Sequence, residues 1–230
     1  MPMLGFHPVS LAAFALGIII SLWAQWMVRS AYSKYSKVGV RSGVTGAEIA
    51  RRMMRAEGID HVGLEIVPGE MTDHYDPTQK VVRLSQDVYH GQSIASLGIA
   101  AHEVGHVIQD ARGYAPMRLR GLIYPVSNIG STLAFPLAFG GLLFSAPGLV
   151  TIGIWLFAAA LAFTLITLPV EFNASRRAVH ALAQGGVMTD DELRGTKRVL
   201  NAAAMTYVAA AATAVLQLVQ LLVLRNALED

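Results

Sequence analysis

Four apolar stretches, each long enough to cross a bilayer, constrain this chain more than any other feature. A hydrocarbon core accommodates about 20 apolar residues in helical form. The stretches run from 8 to 28, 122 to 145, 148 to 170 and 202 to 224. The chain is 53% hydrophobic and 15% charged, whereas soluble domains carry roughly 25% charge. The expected class is mainly α, a polytopic membrane protein with about four transmembrane helices. The first stretch has no basic leader and outruns the roughly 7–15 residues of a signal-peptide core, so it reads as a span. Trp23 and Trp26 near its end suit an interfacial belt. The middles of the spans carry no ionisable residue, which speaks against an ion or proton transporter.

Lysine and arginine set the expected orientation. Residues 29–121 carry 12 of the 18, residues 171–201 carry five, and only Arg225 lies beyond the fourth span. By the positive-inside rule both segments, 29–121 and 171–201, are expected in the cytoplasm and both termini outside. The expectation is one membrane-integrated domain over 1–230 with a small α+β cytoplasmic portion.

Within that portion, Thr45 and Glu48 form a capping-box pattern before a short amphipathic helix that Gly58 should end. The helix's Arg51, Arg52 and Arg55 read as a solvated face, with contact to lipid headgroups as the alternative. Leu64, Ile66, Val81, Val82 and Leu84 suggest short strands, with Pro68-Gly69 and Asp76-Pro77 as turns. The stretch "KVVRLS" reads equally well as an internal strand or as an edge strand that binds extended peptide. Ser93 should cap a helix from Ile94 to about Asp110, ended by Gly113. Thr189 and Glu192 form a second capping box, whose helix should run on into the fourth span. There, Gln217 and Gln220 share a face and suit interhelical hydrogen bonds.

The helix after Ser93 contains "HEVGH": His102, Glu103, Val104, Gly105 and His106. Buried polar side chains cost several kcal/mol unless they are satisfied. Histidines at i and i+4 share one helix face and can reach one ion, and Glu103 can reach a water on it. The chain has no cysteine, so any metal must be held by histidine and carboxylate. Zn2+ suits such donors and keeps an open position. A metzincin would continue with Gly at 109 and His at 112, but Gln109 and Arg112 stand there.

The third ligand must therefore come from elsewhere. Glu171 directly follows the third apolar run, where a carboxylate needs a partner. Ala174, Ser175 and Ala178 around it are small and would let the metal helix approach closely. Glu171 is the expected third ligand, ahead of His180, His74, Asp73, His90 and Asp110. Glu103 is the expected catalytic base. Tyr75, His74, Tyr114 and Arg177 are candidate donors to a developing oxyanion.

The segments "SGVTGAEIARRM", "TDHYDPTQKVVRLSQDVY", "AAHEVGHVIQ", "LPVEFNASRRA" and "RVLNAAAMTYVAAA" carry a resemblance over nearly the whole length. The chain resembles the bacterial YugP-like family of membrane zinc metallopeptidases and, more distantly, HtpX and the CAAX prenyl proteases. That resemblance implies a zinc site completed by a glutamate on a later helix. In the distant relatives the motif reads Glu-x-x-x-Asp, with the aspartate orienting a histidine; here Ser175 holds that place.

The expected function is a membrane-embedded zinc endopeptidase acting near the cytoplasmic face. The alternative is a non-catalytic zinc-binding membrane scaffold, which would keep His102 and His106 but have no use for Glu103. A peptide or membrane-protein substrate and the lipid bilayer are the expected partners, and no nucleic acid is expected.

Overall fold

A computed structural model describes residues 8–229. The single domain expected over 1–230 includes residues 1–7 and 230, which lie outside the described residues. Helix α1 spans Pro8–Tyr35, α2 Gly46–Ala56, α3 Gln86–Tyr89, α4 Ile94–Ala111, α5 Ala115–Leu143, α6 Pro147–Gln184 and α7 Asp190–Glu229. Strands β1, β2 and β3 span Gly63–Val67, His74–Asp76 and Val81–Ser85. Among the described residues, α1, α5, α6 and α7 are long and apolar enough to cross a membrane. The mainly α, polytopic class read from the sequence holds. The helices outrun the apolar stretches: α6 continues 14 residues past position 170 to Gln184, and α7 begins 12 before position 202 at Asp190.

The chain divides into two compact units. Among the described residues the first comprises 8–25, Leu119–Leu168 and 206–229. Its helices meet through small residues, which permit close backbone approach where no hydrophobic gradient drives packing. A Cβ on Gly130 would lie 2.6 Å from the Leu156 carbonyl oxygen, and one on Gly153 would lie 2.7 Å from that of Ala134. Gly17 of α1 packs likewise on Thr213 of α7. Large apolar side chains such as Leu122, Phe139 and Trp155 point outward, as expected of a surface that meets lipid. Helix α5 runs unbroken through Pro125 and Pro136. Gln217 lines a small cleft with Ser21 and Thr213, but among the described residues neither it nor Gln220 makes the expected interhelical hydrogen bond. In the first unit it is the pair of hydroxyls, Ser21 and Thr213, that meet across α1 and α7, at 3.5 Å.

The second unit, Trp26–Arg118 with Pro169–Met205, holds the sheet and the histidine helix. The capping box before α2 forms as read: the Glu48 amide donates to Thr45 Oγ1 and the Thr45 amide to Glu48 Oε2. Gly58 ends that helix with φ +68°, a conformation that costs glycine nothing. The second box forms before α7. Its Glu192 also accepts the Arg41 amide at 2.8 Å, tying α7 to the loop before α2.

The sheet order is β1-β3-β2, with β1 parallel and β2 antiparallel to β3. The edge reading of "KVVRLS" therefore fails. β3 is internal, hydrogen-bonded on both sides. Its Val81, Val82, Leu84 and Ser85 are all buried, the near-continuous run of a strand covered on both faces. Arg83 binds Glu65 of β1 and Asp76 of β2. One core joins α2, the sheet, α4 and the polar ends of α6 and α7 through residues such as Ile49, Leu84, Leu97, Val104, Leu182 and Leu200.

Candidate metal centre

Helix α4 begins where Ser93 Oγ accepts the Ser96 amide at 3.1 Å. It ends before Gly113, at φ +63°. The i, i+4 spacing sets the His102 and His106 rings side by side, with centroids 4.7 Å apart. Gly105, between them, meets α6. A Cβ there would lie 2.6 Å from the Ala174 carbonyl oxygen, so only glycine allows this approach. Fully buried Ala174 and Ala178 supply the other side, as their small size led us to expect.

The approach brings Glu171 of α6 onto both imidazoles. Glu171 Oε2 lies 3.2 Å from His102 Nε2 and 3.6 Å from His106 Nε2. The three potential ligand atoms all lie within 4.8 Å of one another. Glu171 is 3% exposed.

The outer ring nitrogens are already engaged. His106 Nδ1 meets Gln109 Oε1 at 3.0 Å. Gln109 Nε2 donates to the Val170 carbonyl at 2.8 Å and to Asn173 Oδ1 at 3.0 Å. Because its amide nitrogen is the donor there, its oxygen must be the acceptor at His106, so His106 carries its proton on Nδ1. His102 Nδ1 meets Ser175 Oγ at 3.1 Å. The hydroxyl at the position where the sequence resemblance suggested an aspartate thus does contact the outer nitrogen of His102. With its Nδ1 proton held by Gln109, His106 turns an Nε2 lone pair toward the Glu171 carboxylate in a buried pocket, and His102 Nε2 faces the same oxygen. A lone pair facing a carboxylate oxygen there is satisfied only by a cation between them, either a proton on the ring or a metal ion. Burial disfavours a charged His106, but the hydrogen bond to Glu171 and the charges of Glu103 and Glu171 hold its pKa above the usual value. The pocket attracts positive charge. Two nitrogens and one oxygen match the protein donor set of a zinc site.

Glu103 is buried on α4 and makes no side-chain hydrogen bond or ion pair with the described residues. The other sequence candidates lie elsewhere. Asp73 accepts from the Ser85 amide and hydroxyl. Asp110 accepts from Tyr75 at 2.6 Å and pairs with Lys80 at 2.5 Å. His74 Nδ1 meets the Thr72 carbonyl, and His90 packs on the Tyr89 ring. His180 lines a groove with α7 residues. Among the described residues only His102, His106 and Glu171 form a cluster able to hold a metal. Of the oxyanion candidates, Tyr75 is engaged by Asp110 and Arg177 Nε by Asn173.

A family model described as "Putative neutral zinc metallopeptidase" matches residues 10–226. The chain belongs to this zinc metallopeptidase family. It is 48% identical over 212 residues to a Bacillus subtilis (strain 168) protein described as "Putative membrane protease YugP", covering 92% of this chain and 93% of that one. No solved structure matches it. Sequence reasoning about this zinc metallopeptidase family member missed Gln109, Asn173 and the role of Gly105. Gln109 entered only as the residue that broke the metzincin pattern. The available signal was an amide among apolar residues, three positions after the second histidine of the motif.

Proposed function

We propose that the protein is a membrane-embedded zinc endopeptidase, with His102, His106 and Glu171 as metal ligands and Glu103 as general base. The observation that carries the reading is the convergence of two Nε2 atoms and one carboxylate oxygen in a buried pocket, with the outer nitrogen of each ring held by a neighbour. Bound zinc would supply Lewis acidity and lower the pKa of water to about 7. Glu103 holds an attacking water and takes its proton, then passes that proton to the leaving amine. Gln109 keeps His106 in the ligating tautomer, and Ser175 Oγ holds the outer nitrogen of His102 in place. The buried, weakly polar walls of α4 and α6 strengthen each of these interactions by keeping bulk water away.

The proposed location is the cytoplasmic side of the membrane. It is supported by Glu171 directly following the third apolar run and by the lysine and arginine bias of residues 29–121 and 171–201. A site at that depth suits membrane-protein segments or membrane-proximal peptides as substrates.

Zinc stoichiometry and casein-type cleavage on the purified protein test the proposal. Glu171→Ala should lose both zinc and cleavage. Glu103→Gln should keep zinc and lose cleavage by about 10²–10⁴-fold, the usual worth of a general base. Unchanged zinc in Glu171→Ala would remove the third ligand. Unchanged cleavage in Glu103→Gln would remove the base and favour a scaffold.

A further inference from the structure

A groove in the second unit, about 710 Å³ in volume, is lined by α6 and α7. Phe172, Val179 and Leu200 make its apolar part. Arg176, His180 and Lys197 make its polar part, and no acidic residue lines it. Arg176 and Lys197 are exposed and make no hydrogen bond or ion pair with the described residues. The two cations thus line one cleft without a counter-charge, and the zinc-site reading uses neither.

The helices state the depth. Arg176 stands about 9 Å along α6 from the end of the apolar run at 170, and Lys197 about 7.5 Å along α7 from the start of the run at 202, at 1.5 Å per residue. A headgroup layer occupies about 5–7 Å on each side of the hydrocarbon, and long basic side chains reach back toward that layer. We propose that this groove binds the headgroup of an anionic phospholipid, its phosphate between Arg176 and Lys197 and its glycerol and upper chain against Phe172 and Leu200. Charge complementarity, the mixed lining and the depth favour a lipid over an acidic peptide. Ser175, which touches His102, also lines this groove, so a bound headgroup would lie one side chain from the histidine pair.

The test uses full-length protein in detergent micelles, with dioleoylphosphatidylglycerol as probe and dioleoylphosphatidylcholine as control. Lipid retained through gel filtration is measured by native mass spectrometry. Wild type should retain phosphatidylglycerol in preference. The double variant Arg176→Gln/Lys197→Gln should bind it roughly 25-fold more weakly, about fivefold per basic residue. The charge-matched double variant Arg52→Gln/Arg55→Gln, on the exposed face of α2, should bind like wild type. All four side chains are exposed, so thermal unfolding and elution should not change. Equal retention of the two lipids by wild type, or equal loss in both double variants, would overturn the site. So would displacement of the lipid by an equal concentration of inorganic phosphate, or by an acidic peptide.

Discussion

Gly105→Ala adds one methyl group where α4 meets α6. The new Cβ would lie 2.6 Å from the Ala174 carbonyl oxygen and 3.1 Å from its Cα and C. Ordinary contact begins near 3.4 Å, so the two backbones must part by about 0.8 Å; no flexible side chain is available to yield instead. Two effects on stability oppose each other. Alanine is better than glycine inside a helix by about 1 kcal/mol, and overpacking a close contact costs about 1–3 kcal/mol. The net change in the metal-free protein should fall between zero and about 2 kcal/mol of destabilisation. The metal centre is far less tolerant. Ligand distances hold within about 0.2 Å in working sites, and α4 carries two of the proposed ligands while α6 carries the third. Zinc affinity should therefore fall at least tenfold, the scale seen when a ligand's orienting partner is lost. Chelator competition measures the affinity, and thermal unfolding in EDTA measures the fold. Gly121→Ala, in α5 with nothing within 4 Å of its Cβ position, should match wild type in zinc binding. If Gly105→Ala binds zinc with wild-type affinity, the close approach of α4 and α6 does not set the site, and the argument fails.

Gln109→Leu preserves volume and removes three hydrogen bonds, leaving His106 Nδ1 and the Val170 carbonyl without them; zinc affinity should fall about 10–100-fold and the metal-free protein should lose about 2–4 kcal/mol, checked by the same chelator and unfolding assays. Asp110→Asn tests the tie between α4 and the sheet. Burial raises the Asp110 pKa, but the hydrogen bonds from Lys80 and Tyr75 outweigh it and hold the pKa below the usual value. A lowered carboxylate pKa stabilises the fold above the unfolded value, about 3.9, and that stabilisation is lost as pH falls through the folded value. The pair is partly exposed, so Asp110→Asn should cost about 1 kcal/mol at pH 7. The gap to wild type should close below about pH 4, in unfolding curves recorded with EDTA.

What the sequence made legible was local. Thr45 with Glu48 and Thr189 with Glu192 are three apart, so their reciprocal bonds follow from spacing alone. His102 and His106 share a face for the same reason. Glu171 was legible because a carboxylate at the end of an apolar run demands a partner, and few partners were on offer. The central place of β3 was less legible. It pairs in parallel with β1 across the intervening β2, and a crossover leaves no mark at either strand. The run Val81-Val82 with Leu84 did hint at burial on both faces, which an edge strand lacks. Gln109 was illegible because its partners Val170 and Asn173 lie 61 and 64 residues away. An amide in a helix reads as a surface residue until its fold-mates are known.

The hydrogen bonds around His106 run inward from the surface, and their order makes one further outcome calculable. Arg177 Nε donates to Asn173 Oδ1, which leaves that oxygen as acceptor for Gln109 Nε2 as well. Gln109 must then offer its oxygen to His106, which fixes the Nδ1 proton and turns the Nε2 lone pair toward Glu171. Read as a simple chain, removing Arg177 should unlock every later step. The chain has a second anchor, however. The Val170 carbonyl can only accept, and it takes the same Gln109 nitrogen at 2.8 Å. A flipped Gln109 would press oxygen against oxygen there, at a cost of about 1–3 kcal/mol for the unsatisfied buried groups. Arg177→Met should thus leave Gln109 oriented and shift zinc affinity by less than about threefold, against about 10–100-fold for Gln109→Leu. Chelator competition on the two variants side by side distinguishes the cases. Equal losses would mean that the guanidinium, not the backbone carbonyl of Val170, sets the histidine's tautomer.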